Sequence, residues 1–153
     1  MEIKLSTHFS LAEMIHSDYA VRNGFDNTPD VDEIAELRKL CNRMLEPIRD
    51  ILGVPIRINS GFRSPAVNAG IGGAPTSQHQ RGQAADFIVP GVSNRKIVDA
   101  IIQSRIEYDQ LIYEGGESGW VHVSRSDAPR LVVLSADFST GHAVYSPYDP
   151  SRA

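Results

Sequence analysis

Gln110-Leu111-Ile112-Tyr113-Glu114-Gly115-Gly116-Glu117-Ser118-Gly119-Trp120-Val121-His122-Val123-Ser124-Arg125 reads as two strands and the turn between them. Gln110 to Glu114 and Trp120 to Arg125 flank a five-residue loop, Gly115 to Gly119, which predicts an antiparallel hairpin. If Glu114 pairs with Trp120, then Ile112 stands opposite His122. Residues 110, 112, 114, 120, 122 and 124 then share one face of the sheet. His122 alternates with Val121 and Val123, so it faces away from whatever those valines bury. A slip of one residue would turn Glu114 to the other face relative to His122.

Outward from the hairpin, Ala84 to Val89 reads as a buried strand and Pro55 to Asn59 as another, with Ile56 and Ile58 on one side. Arg130 to Leu134 is a further strand. The first third is helical in character. Ser10-Leu11-Ala12-Glu13 has the form of a capping box and predicts a short helix through about Asp18. Asn23-Gly24 and Asn27-Thr28-Pro29 mark turns. Asp30 is the expected N-cap of the longest helix, whose buried face comprises Val31, Ile34, Leu37, Leu40, Cys41, Met44, Leu45, Ile48 and Leu52. Gly53 suits its end, and Pro47 is expected to kink it or split it in two. Ser93 caps a helix with an apolar face of Ile97, Val98, Ile101 and Ile102. Ser60 to Ser77 reads mostly as loop, and a loop that long in a compact domain is usually functional or disordered. The tail from Ser139, with Pro147 and Pro150, has no clear period and is expected to fray. Helices first and strands later predict an α+β fold, with N-terminal helices packed on a small antiparallel sheet.

The chain's 153 residues suit one domain over 1–153, with its core at about 9–134 and a tail at about 139–153. A formal net charge of −4 argues against sequence-independent binding of nucleic acid, and no stretch is long and apolar enough to cross a bilayer. Met1 to His8 lacks the layout of a secretory signal, so synthesis in a cytoplasm without an export signal is expected. The one cysteine, Cys41, excludes an intrachain disulfide and reads as a buried, inert thiol.

Ser77-Gln78-His79-Gln80-Arg81-Gly82-Gln83-Ala84-Ala85-Asp86 supplies two candidate metal ligands, His79 and Asp86, across a turn that Gly82 lets reverse tightly. With His122 they make two imidazoles and a carboxylate, a set that zinc takes in hydrolytic sites while keeping a position for water. On spacing alone, the alternative is a solvent-facing His79 and an Asp86 that serves as a turn residue. Gln80 and Arg81 read as exposed. His8, His16 and His142 read as structural.

The Ser77–Asp86 run resembles the signature of the zinc D-Ala-D-Ala carboxypeptidase family, peptidase family M15. Ile58-Asn59-Ser60-Gly61-Phe62-Arg63-Ser64 resembles the motif that precedes it. Trp120-Val121-His122-Val123-Ser124 is similar to the closing ligand motif of a small, often phage-encoded, endolysin-like branch. Weaker likeness extends to Phe9-Ser10-Leu11-Ala12-Glu13, Asn27-Thr28-Pro29 and Leu45-Glu46-Pro47-Ile48-Arg49. The resemblance implies a D-Ala-D-Ala peptidase-like fold, Zn2+ held by His79, Asp86 and His122, and hydrolysis of peptidoglycan stem peptides. It implies action at the bacterial cell wall, with no nucleic-acid or membrane partner, as a monomer or as part of a phage particle. It also implies that Arg63 grips a substrate carboxylate or the developing oxyanion. Ser77 either binds substrate or braces its loop. One departure stands out: many relatives carry an acid three positions before the last histidine, where this chain has Gly119. Glu114 is the expected general base, with Glu117 as the substitute. The alternative function is a catalytically inactive zinc domain that recognises wall or builds a virion.

Overall fold

The computed structural model describes residues 2–150; Met1 and the tail residues 151–153 lie outside the described residues. Ser10 caps α1 (Leu11–Ile15) by accepting from the Glu13 N–H. His16 then turns extended, and Ser17 caps a separate α2 (Asp18–Asn23), so the single short helix expected through Asp18 is two. Asp30 opens α3 (Val31–Leu40) in a full capping box with Glu33.

At Pro47 the long helix is divided as expected, into two α-helical stretches separated by a π turn. The proline's missing N–H and its ring are absorbed by that turn, Cys41–Leu45, after which α4 (Glu46–Leu52) continues. The Glu46 N–H reaches back five residues to the Cys41 carbonyl. Gly53 ends the run in the left-handed region. The face that includes Leu37, Leu40, Cys41, Met44, Leu45 and Ile48 is buried as expected. Val31 is not: at the first helical position it points into solvent. Burial pushes the Cys41 thiol up to about 12, consistent with an inert side chain.

The segment read as loop contains α5 (Pro65–Gly70). Ser64 is its N-cap and Pro65 its first residue, a start signal that a Gly- and Ser-rich context hid. After β1 (Arg57–Ser60) come β2 (Ala84–Ile88), α6 (Asn94–Gln103), β3 (Gln110–Glu114), β4 (Trp120–Ser124), β5 (Val132–Asp137) and β6 (Val144–Pro147). Ile97, Val98 and Ile101 of α6 are buried, whereas Ile102 lies toward solvent.

The strands form one sheet in the order β1-β2-β4-β3-β5-β6. Each neighbouring pair is antiparallel except β3 and β5, so the expected small antiparallel sheet carries one parallel pairing. From β4 the chain crosses the end of β3 and joins its free edge. Leu131 takes a φ of 54° at this bend, and its N–H bonds the Tyr108 carbonyl. Through residue 150 the tail does not fray, and the expectation for residues 151–153 lies outside the described residues. β6 pairs with β5, and the Tyr148 hydroxyl donates to Asp99 at 2.8 Å. The Arg95 guanidinium lies over the rings of Tyr113 and Tyr148.

One face of the sheet, with Phe87, Leu111, Val121 and Val123, shares a buried core with the helices. The other lines an open cleft. Among the described residues, no helix is long and apolar enough to cross a membrane.

Candidate metal centre

The expected hairpin register holds: Glu114 pairs with Trp120, and Ile112 with His122. On the other side of β4, His122 pairs with Asp86. Directly paired residues project from the same face, so the backbone ladder alone sets Asp86 and His122 side by side. The third group arrives from a short 3₁₀ turn, Gln78–Arg81, which carries His79. The Ser77 hydroxyl caps this turn by accepting the His79 N–H at 3.2 Å. Gly82 closes it at a φ of 73°, where an added Cβ would stand 2.6 Å from the Glu33 carbonyl oxygen. Glycine is therefore required there for both conformation and space.

His79, Asp86 and His122 are buried, and each offers a ligand atom within 4.8 Å of the others. His79 Nδ1 lies 2.7 Å from the Gly61 carbonyl oxygen. A carbonyl only accepts, so Nδ1 carries the proton and Nε2 presents its lone pair inward. Nε2 stands 3.3 Å from Asp86 Oδ2 but has no aligned hydrogen-bond partner. A buried lone pair left in this way fits a cation. His122 Nδ1 lies 2.9 Å from Asp86 Oδ1 and 3.6 Å from Glu114 Oε1. Two imidazoles and one carboxylate match the three-ligand set of a catalytic zinc site, so this cluster can hold such an ion.

Burial lowers the basicity of His79 despite the Asp86 charge, the direction that favours a free lone pair. Burial opposes ionisation of Asp86, but the two neighbouring imidazoles, His79 and His122, prevail and hold its carboxyl well below the usual range. Glu114 is pushed up to about 7 by burial and by the Asp86 charge.

Arg63 enters the same cleft, whose volume is about 540 Å³. Its backbone N–H donates to the His79 carbonyl, and its Nε is buried without a partner. Ser77 and Trp120 also line the cleft. The indole N–H of Trp120 is likewise buried and unpartnered. A second cavity of about 530 Å³, bordered by Met44, Pro47, Ile106 and Pro129, contains none of the cluster residues.

Glu117 does not face the cluster. Its carboxylate accepts from the Asn94 and Arg95 N–H groups at the start of α6 and from the Tyr113 hydroxyl. Gly119 explains the departure from the expected acid. A Cβ there would sit 1.8 Å from the Glu114 carbonyl oxygen, so this turn excludes any side chain at that position. Gln80 is half-buried, bonded to the Pro75 carbonyl, while Arg81 is exposed as expected. His8 pairs with Glu46, and His16 with Asp18, outside the cleft; His142 is exposed in the turn before β6. Phe138, Ala143 and Tyr145 complete one side of the cleft. No signal of helical or strand period marks these residues in the sequence; only the docking of β6 on β5 brings Tyr145 to the site.

No curated protein matches this chain. A family model described as Peptidase M15 matches residues 7–124, a span that contains His79, Asp86, His122, Arg63 and Glu114, and the chain belongs to that family.

Proposed function

We propose that this protein is a zinc-dependent peptidase that hydrolyses amide bonds in peptidoglycan stem peptides or their cross-links, as a carboxypeptidase or endopeptidase of a phage or prophage lysin. The observation that carries the reading is the buried His79–Asp86–His122 cluster, with the Glu114 carboxylate 3.6 Å from His122 at the floor of an open cleft. Family membership supports zinc-dependent peptidase chemistry in general.

Zinc held by His79, Asp86 and His122 would supply Lewis-acid polarisation and an acidified water. Glu114 takes a proton from the attacking water and returns it to the leaving amine. A carboxyl at about 7 is suited to both halves of that transfer near neutral pH. Arg63 holds a substrate carboxylate or the developing oxyanion through its guanidinium. Ser77 keeps His79 in place through its cap.

Digestion of purified sacculi, followed by mass analysis of the released fragments, tests the reading. The zinc-loaded protein is expected to release fragments with new stem-peptide termini, and a chelator is expected to abolish release. Intact sacculi after incubation with zinc-loaded protein would overturn it and favour the inactive wall-binding or virion domain.

A further inference from the structure

We infer that Tyr145, on the last strand of the sheet, is a substrate-contacting residue that donates a hydrogen bond to an acceptor oxygen of the peptide held beside Glu114. The inference rests on the peptidase reading above. Strand register carries it. Trp120 pairs with Glu114, Glu114 with Ala136, and Ala136 with Tyr145, so these residues form one row across four strands. All project from the face that bears His122, two residues along from Trp120.

Neighbouring strands lie about 4.8 Å apart, which starts the Tyr145 side chain roughly 10 Å from Glu114. Ala136 stands between them, and its methyl leaves the space through which a phenol reaches inward. Tyr145 lines the same cleft as the ligand cluster and Glu114. The residue is 54% exposed, and among the described residues no hydrogen bond engages its hydroxyl. Burial and the nearby Glu114 and Asp86 carboxylates raise the phenol above its usual pKa, the direction that favours a hydrogen-bond donor.

The strand that carries Tyr145 is firmly tied. Tyr148, three residues on, donates to Asp99, and Arg95 packs over its ring while donating to its hydroxyl. β6 also lies beyond residues 7–124, so the family match does not reach it.

Tyr145→Phe deletes the hydroxyl and keeps the ring. Two readouts are needed: kcat and KM on a stem-type peptide ending in D-Ala-D-Ala, and the Kd of a phosphinate analogue of that peptide. The chain's one tryptophan, Trp120, lies in the cleft and reports binding by fluorescence. The variant is expected to keep its zinc content and melting temperature. Its kcat/KM is expected to fall, and its phosphinate Kd to rise, by about tenfold to a hundredfold, as for loss of a hydrogen bond to a charged group. Values within about twofold of wild type would overturn the contact, as would a fall accompanied by lost zinc or a lower melting temperature. Wild-type cleavage with an unaltered variant removes the contact alone. No cleavage of this peptide by wild type, with phosphinate bound more weakly by the variant, removes the carboxypeptidase form of the reading and keeps the contact. Neither cleavage nor phosphinate binding by wild type overturns the contact together with the carboxypeptidase form of the reading.

Discussion

Glu114 and Glu117 are three residues apart in one turn, yet the fold gives them different work. Glu114 points into the cleft beside His122, whereas Glu117 closes the open N–H groups of α6. Substituting each by glutamine therefore separates base from cap. Glu114→Gln is expected to lower kcat by about 10²-fold or more while zinc stoichiometry stays at the wild-type value, because the amide cannot accept the proton. Glu117→Gln is expected to leave kcat unchanged and to lower stability by about 1 kcal/mol, as for a weakened helix cap. Retention of full activity by Glu114→Gln would exclude it as the base. Gly119 makes the same point by exclusion: with the Glu114 carbonyl pressed against it, an acid cannot stand where the family resemblance leads one to expect it. On the proposed reading the proton-transfer group comes from another residue, and strand register makes Glu114 the one that faces His122.

The parallel joining of β5 to β3 depends on a latch at the start of β3. The Asp109 carboxylate accepts from the Arg130 backbone N–H, Nε and Nη2, and from Gln78 Nε2. These bonds tie together the crossing chain, the strand it joins and the turn that carries His79. The Arg130 hydrogen bonds outweigh burial and hold the Asp109 carboxyl below its usual pKa. A carboxyl lowered in the folded state contributes fully above its unfolded pKa, about 3.9, and that contribution is lost as pH falls through the lower folded value. Asp109→Asn is therefore expected to be less stable than wild type at pH 7, by about 1–3 kcal/mol. The gap is expected to narrow below about pH 4. Melting temperatures across pH 2–7 check this; parallel curves for the two proteins would show that the latch contributes nothing that depends on charge.

Because the three ligands come from a 3₁₀ turn, β2 and β4, a cation held between them joins distant parts of the chain and acts on global stability. Zinc at about 100 times its Kd is expected to stabilise the folded state by about 2.7 kcal/mol. For a chain this long that raises the melting temperature by about 5–10 °C, and the rise is expected to vanish in His122→Ala. Calorimetry with and without zinc measures both. Much of this arrangement is readable along the chain. Capping at Ser10, Asp30 and Ser93 follows from hydrogen bonds within three or four residues. The hairpin register follows from alternation and loop length, and with it the side on which Glu114 and His122 face the cleft. Such signals are local, so neighbouring residues carry them whatever the rest of the chain does. The second helix of the N-terminal pair, α5, the π turn at Pro47, the parallel β3–β5 pairing and the docked β6 are not readable in that way. Tyr145 shows why: its place beside Glu114 exists only once Ala136 lies between them, and that depends on a strand crossing whose hydrogen bonds link residues far apart in sequence. Pairing between strands that no turn connects is set by competition among whole-chain packings, and no short window of sequence contains it.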